Sequence, residues 1–452
     1  MIDLRCLYAD NHFQQKPFFV VGLGKTGFAV LKALKEADIT ALAYDDNDTH
    51  LKAAEELGAK WITKPLDLDY TGCAAVVLAP GIPLHFPEPH PICTKARAVK
   101  CPIICDIELF GLAKKGKNKI VGITGTNGKS TTTALAAHVI NKLGSKAVAG
   151  GNIGYASLDL PDYKKGDGVY VLELSSFQID LCPTFRPDIA VLLNITPDHL
   201  DRHGGFDGYV AAKAQLFDGA AVSIVTSNDD GSRTIAKQAG VPPILDIPMV
   251  MNELPQLAGE HNAQNIRAVY LICRHLFPEM TGRDFRRALT SFAGLEHRQE
   301  IVGELNGTTF INDSKATNPD AAAYALDTYK NIYWIAGGRS KDPKDFDALI
   351  KEHGGNIKHA FLIGEAQEDL RHYLEKYNIP STICDELPNA MTSAMQGIID
   401  NGTAKACILL SPACASFDQF PNFEKRGEAF QDLVQNMMIG NTAGKADMHV
   451  IH

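Results

Sequence analysis

Short apolar runs alternate along the chain with stretches whose apolar residues recur every three or four positions. In the first hundred residues, KPFFVVGLG, ITALAYDD and AAVVLAPG are apolar runs, whereas TGFAVLKALKEA and HLKAAEELG have the helical period. Strands that alternate with amphipathic helices form a parallel sheet that helices cover on both faces. The pattern therefore predicts an α/β fold that begins with a unit of nucleotide-binding size.

The same alternation starts twice more, with KIVGIT after a basic, glycine-containing linker and with TTFIND near residue 308. A length of 452 residues agrees with about three domains of roughly 150 residues each. The last twelve residues are predicted to form a loose tail. We therefore predict three α/β domains, an N-terminal domain (1–110), a central domain (111–297) and a C-terminal domain (298–452).

Composition and charge exclude several classes of protein. A hydrophobic content of 45% with 21% charged residues is typical of a globular protein. The net charge of -9 and the lack of a run of Lys and Arg argue against nucleic acid as a partner. The N-terminal segment resembles neither a signal peptide nor a membrane span. We expect a cytoplasmic protein whose ten scattered cysteines are reduced and buried as small apolar residues.

A first glycine loop follows the first predicted strand. Gly22, Gly24 and Gly27 match the pattern GxGxxG, and Asp45 ends the next strand eighteen residues after Gly27. In dinucleotide-binding folds such an acidic residue contacts a ribose hydroxyl. Taken alone, the motif leaves three possibilities open: a dinucleotide, another nucleotide-like ligand, or a tight turn that packs helix on strand.

A second glycine loop, TGTNGKST at 124–131, joins KIVGIT to a helix predicted to begin near Lys129. Glycines let backbone N–H groups face inward, and the helix N-terminus adds partial positive charge, so the loop suits phosphate. Lys129 would reach the outer phosphates, and Ser130 or Thr131 would offer a hydroxyl to magnesium. The strict pattern GxxxxGKS is not met, because Ile123 replaces its first glycine. A plain strand–helix turn therefore remains the alternative.

Ionisable side chains follow two further predicted strands. Glu173 ends VYVLEL, at the sheet edge where α/β proteins bind ligands, and a carboxylate there suits magnesium. An exposed structural Glu is the alternative. The segment DHLDRH at 198–203 contains five ionisable residues and is a candidate site, although solvated loops have a similar composition.

Lys213 lies among alanines in FDGYVAAKAQLF, a predicted helix. Desolvation lowers the pKa of an amine, and a neutral amine can take up carbon dioxide to become a carbamate, an anion that binds metal. Composition alone nevertheless favours a lysine that extends to the surface.

These segments together resemble the Mur ligase family, the ATP-dependent amide-bond ligases of bacterial cell-wall synthesis. The resemblance runs from the first glycine loop to about residue 437. NDSKATNP and SPACASFDQF resemble the branch of the family that adds D-glutamate, and the DNPR motif of the branch that adds diaminopimelate or lysine is absent. The motifs that stand in family order are TGTNGKST, GNIG, LELSSFQ, DHLDRH, GEHNAQN, HR at 297 and 298, NDSKATNP and SPACASFDQF.

The resemblance implies a Rossmann-like N-terminal domain for the UDP-linked substrate, a central P-loop ATPase-type α/β domain for ATP and a Rossmann-like C-terminal domain for the amino acid. It implies a ligase that adds D-glutamate to UDP-N-acetylmuramoyl-L-alanine in peptidoglycan precursor synthesis. The reaction would proceed through an acyl phosphate and would release ADP and phosphate. The implied cofactors are ATP, two Mg²⁺ ions and a carbamate on Lys213. The implied partners are the two substrates, without nucleic acid or membrane insertion, and the chain is expected to be a monomer.

The resemblance also assigns roles to single residues. The UDP-linked substrate would contact Gly22, Gly24, Lys25, Thr26, Asp45, Gly81, Asn152 and His199. ATP would contact Gly125, Thr126, Asn127, Gly128, Lys129, Ser130, Thr131, Asn262, Asn265, Arg298 and Asp313. D-glutamate would contact Lys315, Thr317, Lys341, Ser416 and Phe423. The implied metal ligands are Ser130, Glu173, His199 and Lys213, and the implied catalytic residues are Lys129, Lys213, His199 and Lys315.

Two positions depart from the family pattern, and three other functions compete. Ala79 stands where the family more often has Ser, and Lys25 adds a charge to the UDP loop. The competing functions are a folylpolyglutamate synthase-like ligase, a nicotinamide-dependent oxidoreductase and a non-catalytic nucleotide-binding protein. The first would lack a UDP-type domain, and the second leaves the phosphate loop unexplained.

Overall fold

The computed structural model of the chain describes residues 1–9, 13, 15–244, 260–340 and 342–447. They contain three α/β sheets, which confirms the predicted fold class. The described residues of 1–250 and 263–292 form one compact unit, and those of 251–262 and 293–452 form a second. The predicted domain limits at 110 and 297 stay a prediction.

The first sheet has five parallel strands, β1 (Phe18–Val21), β2 (Ala41–Tyr44), β3 (Lys60–Trp61), β4 (Val76–Leu78) and β5 (Ile103–Ile104). Its helices are α1 (Cys6–Ala9), α2 (Lys25–Glu36), α3 (Leu51–Glu56), α4 (Pro91–Ala98) and α5 (Asp106–Lys114). The strand order is β3-β2-β1-β4-β5. The order reverses between β1 and β4, so the loops after these two strands are neighbours and frame a ligand-binding crevice.

The second sheet has five parallel strands, β6 (Lys119–Thr124), β7 (Ala147–Gly151), β8 (Val169–Glu173), β9 (Ile189–Leu192) and β10 (Val222–Val225). Its helices are α6 (Lys129–Lys142), α7 (Ser176–Asp180), α8 (Leu200–His203), α9 (Phe206–Ala214), α10 (Asp230–Ala239), α11 (Glu260–Leu276) and α12 (Gly282–Thr290). In the order β10-β9-β6-β8-β7, β6 lies between β8 and β9. The loop after β6 therefore lies between the segments that follow Glu173 and Leu192.

The first and second sheets share one hydrophobic core. Strands β8 and β9 are buried at every position, as parallel strands covered on both faces are. The core continues through α5, where the ring of Phe110 meets the ring of Tyr170 edge to face at 5.0 Å. One compact unit thus holds two sheets.

The third sheet contains β11 (Glu300–Leu305), β12 (Thr308–Asn312), β13 (Ile332–Gly337), β14 (Ile357–Ile363), β15 (Ser381–Asp385) and β16 (Cys407–Leu410). Its helices are α13 (Pro319–Thr328), α14 (Asp345–His353), α15 (Gln367–Lys376), α16 (Leu387–Asn401) and α17 (Phe423–Asp447). The order is β11-β12-β16-β13-β14-β15, and all pairs except β11 with β12 are parallel. Successive side chains of β13 enter different clusters, Trp334 one and Tyr333 and Ile335 the other, so helices cover both faces.

The strands that the hydrophobic pattern does not single out all lie at sheet edges. They are β3 and β5 in the first sheet, β7 in the second, and β11 and β15 in the third. An edge strand is less buried than a central one, so its sequence needs no continuous apolar run. The predicted loose tail is wrong for residues 441–447, because α17 continues to Asp447.

Two predictions about the whole chain can also be compared with the structure. Nine of the ten cysteines are buried, which confirms for those nine that they serve as small apolar residues, whereas Cys6 is only partly buried. Within the described ranges, no helix combines the length and the apolar character that crossing a membrane requires.

Candidate active site

The first glycine loop connects β1 to α2 and packs closely on its surroundings. Gly22 has a φ of +87°, which side chains rarely allow. A Cβ atom on Gly22 would lie 2.6 Å from the Cβ of Ala79, and one on Gly27 would lie 2.2 Å from the carbonyl oxygen of Gly22. Because the loop after β1 is held against α2 and the loop after β4, only glycine fits these two positions.

The Asp45 carboxylate supports the same loop. It accepts hydrogen bonds from the backbone N–H groups of Leu23 and Asn47 and lies 3.4 Å from Nδ1 of His50. Burial acts to raise the pKa of Asp45, but these hydrogen bonds outweigh burial and hold the pKa below its usual value. Asp45 therefore braces the glycine loop, and its contact with a ribose stays a prediction.

The backbone leaves room at two other glycines predicted to face UDP, Gly24 and Gly81. A Cβ on Gly24, the N-cap of α2, or on Gly81 would meet no atom within 4 Å. Lys25 begins α2, and its Nζ donates a hydrogen bond to the carbonyl oxygen of Gly154, the last residue of the GNIG segment. The Lys25 side chain, which departs from the family pattern, thus connects the loops that follow β1 and β7.

The second glycine loop leads into α6, which begins at Lys129 as the sequence predicts. Gly125 and Gly128 have φ values of +155° and +82°, so the turn depends on glycine. Nζ of Lys129 lies 2.9 Å from the carbonyl oxygen of Gly125 and 2.6 Å from that of Thr126. The first N–H groups of a helix have no acceptor within the helix and can receive an anion. The loop therefore fits a nucleotide phosphate chain.

Lys213 is fully buried in α9, so the prediction from composition that it extends to the surface is wrong. Its Nζ donates hydrogen bonds to the carbonyl oxygen of Gly125 at 2.9 Å and to the hydroxyl of Thr124 at 3.2 Å. Burial lowers the pKa of Lys213 well below its ordinary value, and the positive charge of Lys129 lowers it further. The neutral amine is the form that reacts with carbon dioxide, so the site fits a carbamate.

Glu173 is buried at the end of β8, so the exposed structural carboxylate considered as an alternative is wrong. Its Oε1 accepts a hydrogen bond of 2.9 Å from Nδ2 of Asn152, whose backbone N–H donates to the Glu173 carbonyl oxygen. Its Oε2 is buried without a hydrogen-bond partner. A buried carboxylate oxygen is costly unless a cation or donor meets it, so Glu173 fits a metal ligand.

The two histidines of DHLDRH have different surroundings. His203 is buried, with its Nε2 2.9 Å from the hydroxyl of Ser176 and its ring stacked on Phe177 at 5.3 Å. The His199 side chain is 42% exposed, and its Nε2 lies 3.4 Å from the Asp198 carboxylate. His203 therefore holds α8 against α7, whereas His199 is accessible to a ligand.

Two of the predicted metal ligands, Ser130 and Glu173, have side-chain oxygen atoms that suit a hard cation. In the part of the chain that the structure describes, no three His, Cys, Asp or Glu side chains come together as a ligand set. Magnesium usually takes one or two protein carboxylates, with phosphate oxygens and water as its other ligands. The unpartnered oxygen of Glu173 and the buried hydroxyl of Ser130 are donors of this kind, so the residues present fit magnesium.

Two asparagines predicted to contact ATP lie buried in α11. Oδ1 of Asn265 accepts a hydrogen bond of 3.1 Å from the hydroxyl of Thr132, and a Cβ on Gly128 would lie 2.3 Å from that Oδ1. The structure therefore brings Asn265 against the phosphate loop. Asn262 is buried in the first turn of the same helix.

In the second unit, Asp313 follows β12 and is buried. Its Oδ2 accepts a hydrogen bond of 2.7 Å from the Ser411 hydroxyl, and its Oδ1 accepts one of 3.1 Å from the N–H of Gln299. Burial raises the pKa of Asp313 to about 7, although these hydrogen bonds and the charge of Arg298 oppose that shift. Arg298 and Asp313 thus lie close enough to interact electrostatically.

The residues predicted to bind D-glutamate also belong to the second unit. Nζ of Lys315 lies 3.8 Å from the centroid of the Phe423 ring, a cation–π contact. The N–H of Thr317 donates to the Lys315 carbonyl oxygen at 2.8 Å, and Ser416 is buried in the segment after β16. Lys341 lies outside the described residues. The structure therefore brings Lys315, Thr317 and Phe423 together.

One residue near this group escapes sequence reasoning. Arg426 is buried in α17, and burial lowers its pKa to about 10. Its Nε donates to the Ser314 hydroxyl at 3.0 Å, and its Nη2 donates to the carbonyl oxygens of Ser314 and Cys414 at 2.9 and 3.1 Å. Arg426 holds the segments that carry Lys315 and Ser416. An arginine in FEKRG has the sequence pattern of a surface residue, so no signal marked it.

The phosphate loop has a second neighbour that sequence reasoning missed. The N–H groups of Thr126 and Asn127 donate to the carbonyl oxygen and to Oδ1 of Asn194, both at 2.9 Å. The Thr126 hydroxyl also meets protein groups, at 3.1 Å from the Thr196 carbonyl oxygen. Nucleotide contacts by Thr126 and Asn127 therefore stay predictions and cannot use these N–H groups. Asn194 stands in NITPDH, and its place before DHLDRH was the available signal.

Comparisons with known proteins identify the family of this chain. Residues 123–247 match the family model of the Mur ligase middle domain, and residues 297–414 match that of the Mur ligase glutamate ligase domain. A UDP-N-acetylmuramoylalanine--D-glutamate ligase of Paramagnetospirillum magneticum is 42% identical over 95% of this chain and 98% of its own length. A protein of the same name from Sphingopyxis alaskensis is 42% identical over 95% of this chain and 99% of its own length.

Solved structures show the same fold at lower sequence identity. The UDP-N-acetylmuramate-alanine ligase MurC of Thermotoga maritima aligns over 93% of this chain and all of its own, with a TM-score of 0.58 and 18% identity. MurF of Acinetobacter baumannii aligns over 74% of this chain and 82% of its own, with a TM-score of 0.54 and 17% identity. With both ligase domains matched and relatives similar over nearly the whole length, this chain belongs to the Mur ligase family.

Proposed function

We propose that this chain joins the amino group of D-glutamate to the alanyl carboxyl group of UDP-N-acetylmuramoyl-L-alanine, with ATP converted to ADP and phosphate. Relatives that are 42% identical over nearly the whole chain have the corresponding name. That similarity favours this reaction over the folylpolyglutamate synthase-like and nicotinamide-dependent alternatives. The proposed reaction is a step of peptidoglycan precursor synthesis.

One structural observation carries the ATP-dependent part of the proposal. Nζ of Lys129 and Nζ of Lys213 each lie 2.9 Å from the carbonyl oxygen of Gly125, in a glycine loop at the start of α6. The positive charge of Lys129 and the N-terminus of α6 together favour a highly charged anion. The phosphate chain of ATP is such an anion. Gly125 to Thr131, with Asn262, Asn265, Arg298 and Asp313, are the residues that we assign to it.

The reaction has two substitution steps. An oxygen of the alanyl carboxylate attacks the γ-phosphorus of ATP, the bond to the β-phosphate oxygen breaks, and ADP leaves. The amine of D-glutamate then attacks the acyl carbon, and phosphate leaves while the amine loses its proton. The first step brings two anions together, so positive charge fixed in place beforehand lowers its barrier. Lys129 supplies such charge from the first residue of α6.

We infer that Ser130, Glu173, His199 and a carbamate on Lys213 hold two Mg²⁺ ions. Bound magnesium would neutralise charge on the phosphates and the attacking carboxylate. The buried Oε2 of Glu173 is an oxygen donor without a protein partner, and Lys213 has the lowered pKa that carbamate formation needs.

We assign the UDP-linked substrate to the loops at the carboxyl edge of the first sheet and to two residues beyond it. Gly22, Gly24, Lys25 and Thr26 follow β1, Asp45 follows β2, and Gly81 follows β4. These loops meet where the strand order reverses, the position at which such sheets bind nucleotides. Asn152 and His199 are the residues that we assign to the muramyl part.

D-glutamate has two carboxylates, so its site requires cations and hydroxyl groups. Lys315 and Lys341 are the cations that we assign, with Thr317 and Ser416 as hydroxyl donors. The ring of Phe423 fixes the Lys315 amine through its cation–π contact. We therefore expect the Lys315 amine to meet a substrate carboxylate.

We also propose that the chain acts as a monomer in the cytoplasm. Every residue assigned above belongs to one chain, so the reaction requires no residue from a second copy. ATP and a UDP-linked precursor are cytoplasmic metabolites. Light scattering after size exclusion would test the monomer, and a mass near twice 49.0 kDa would contradict it.

The experiment that tests the function is phosphate release from ATP in the presence of UDP-N-acetylmuramoyl-L-alanine. D-glutamate, L-glutamate, meso-diaminopimelate and no amino acid are supplied in parallel. We expect release above background with D-glutamate alone. Release with another amino acid would keep the ligase chemistry but overturn the roles of Lys315, Thr317, Ser416 and Phe423. No release with any of them would contradict the proposed function.

A further inference from the structure

Asn194, just after β9, makes three hydrogen bonds to two consecutive residues of the phosphate loop. Its carbonyl oxygen accepts the N–H of Thr126 at 2.9 Å, and its Oδ1 accepts the N–H of Asn127 at 2.9 Å. Its Nδ2 donates to the Asn127 carbonyl oxygen at 3.2 Å. One side chain thus holds both polar backbone groups of Asn127, which fixes the orientation of the peptides on either side of it.

Gln264 of α11 sets the orientation of this amide. Nδ2 of Asn194 donates to Oε1 of Gln264 at 3.0 Å. Nε2 of Gln264 in turn donates to the carbonyl oxygens of Leu193 at 2.6 Å and Thr226 at 3.1 Å. Because these carbonyl groups only accept, Gln264 must present its oxygen to Asn194. Asn194 must then present its nitrogen to Gln264 and its oxygen to the N–H of Asn127.

The loop is also packed against the segment that carries Asn194. A Cβ on Gly125 would lie 3.0 Å from Cβ of Leu193 and 3.3 Å from both N and O of Asn194. The N–H groups of Thr126 and Asn127 therefore point into the protein. A helix presents the N–H groups of its first turn to an anion, and the first turn of α6 begins at Lys129.

We propose that Asn194 is a positioning residue that holds the phosphate loop in its ATP-binding conformation, with Gln264 orienting its amide. The inference rests on the proposed function, because it takes ATP as the ligand of the loop. A loop that contains two glycines has many accessible conformations, and ordering it on binding would weaken the affinity for nucleotide. Asn194 imposes that order before ATP arrives, without touching ATP itself.

The test compares Asn194→Ala, Gln264→Ala and the double variant with the wild-type chain. For Asn194→Ala we expect the KM for ATP and the dissociation constant for Mg-ADP to rise about tenfold, the effect of losing hydrogen bonds that order a binding loop. The KM values for the UDP-linked substrate and D-glutamate should stay within about twofold, since neither contacts this loop. Gln264→Ala should give a smaller rise in the same two constants. The double variant should resemble Asn194→Ala, because the residues act through one amide.

Hydrogen exchange of the chain without nucleotide gives a readout independent of activity. Loss of the Asn194 side chain should speed exchange of the Asn127 amide by about tenfold, since that N–H loses its acceptor. Asn194→Asp is a variant of nearly the same volume in case the alanine variant does not fold. It keeps an acceptor for the Asn127 N–H but replaces the donor with an oxygen facing two other oxygens, so the two nucleotide constants should again rise.

Asn141 offers a matched control at the other end of α6. Its Oδ1 accepts the N–H of Ala147 at 3.0 Å, and its Nδ2 donates to the carbonyl oxygens of Ala147 and Ala137 at 2.9 and 2.8 Å. Asn141→Ala thus removes a similar set of hydrogen bonds between an asparagine side chain and the backbone, at the end of α6 that is far from the phosphate loop. We expect it to leave the KM for ATP unchanged even if it lowers the melting temperature.

The outcomes separate this proposal from the proposed function. Unchanged ATP and Mg-ADP constants in a folded Asn194 variant would overturn the positioning role, as would equal rises for all three substrates or an equal effect of Asn141→Ala. If the wild-type chain released no phosphate with D-glutamate, the proposed function would fail. Mg-ADP binding and amide exchange would still decide the role of Asn194.

Discussion

Replacing Lys213 by alanine tests the pair of amines at the phosphate loop, because their separation sets the size of their electrostatic interaction. Nζ of Lys213 and Nζ of Lys129 each lie 2.9 Å from the same carbonyl oxygen, that of Gly125. The two nitrogens therefore cannot be farther apart than twice that distance. Two unit charges so placed interact by about 3 kcal/mol at an effective dielectric constant of about 20.

This electrostatic interaction with Lys129 is unfavourable if Lys213 is positively charged and favourable if Lys213 carries a negatively charged group. A protonated Lys213 would be repelled by Lys129 and would also bear the cost of burial, which is why its pKa is lowered. A carbamate would instead be attracted by Lys129. Losing an interaction of about 3 kcal/mol corresponds to a roughly 100-fold change in rate, so we expect Lys213→Ala to lower kcat by at least about that factor.

The assay is D-glutamate-dependent phosphate release, measured with and without added formate or acetate. A small carboxylate that enters the space left by Lys213 would replace the missing anion and restore part of the activity. Lys142→Ala, which removes an exposed lysine of α6, is the control and should behave as the wild type does. The carbamate would be refuted if Lys213→Ala kept more than about a tenth of the wild-type kcat. Equal activation of the wild type and the variant by carboxylates would refute it as well.

Three further predictions concern the two units separately. Lys129→Ala should abolish phosphate release yet leave the dissociation constant for the UDP-linked substrate unchanged in calorimetry, because Lys129 serves ATP; lost precursor binding would contradict that division of roles. Phe423→Leu removes a cation–π contact worth about 1 kcal/mol, so the KM for D-glutamate should rise about fivefold while that for ATP stays constant. Asp313 has a pKa of about 7 in the folded chain against 3.8 for a free carboxyl, so its contribution to stability is present below pH 4 and is lost as the pH rises through 7. Urea unfolding should therefore favour Asp313→Asn over the wild type by about 3 kcal/mol more at pH 8 than at pH 5, and a difference independent of pH would contradict the buried carboxyl.

The hydrophobic pattern was sufficient to predict the interior of each sheet. Central strands such as β8 and β13 are buried along their whole length, so their sequences are continuous apolar runs that can be recognised without a structure. Edge strands such as β7 and β11 face less protein: β7 ends in two glycines, and β11 contains a glycine and two glutamates. The fold class followed from the first group, whereas the number of strands in each sheet required the coordinates.

Within the site, too, some features follow from the local sequence and others only from the tertiary structure. The order strand, glycine loop, helix predicts where the phosphate loop lies, because glycines and a helix N-terminus are local features of the chain. Local sequence also placed Glu173 at a strand end. It did not reveal that one oxygen of Glu173 is buried without a partner, since that depends on which residues pack around the strand end.

Lys213 and Asn194 illustrate the physical reason. From its neighbours in sequence, Lys213 reads as a surface residue, and only the packing of α9 against the phosphate loop buries its amine beside Lys129. Asn194 reads as a polar residue at a strand end, and its three bonds to the loop exist because β9 lies beside β6 in the sheet. Burial, charge proximity and hydrogen-bond partners depend on residues distant in the chain. The pattern of residue types therefore predicted which segments form the site. The tertiary structure determined which atoms of those segments are buried, charged or hydrogen-bonded together.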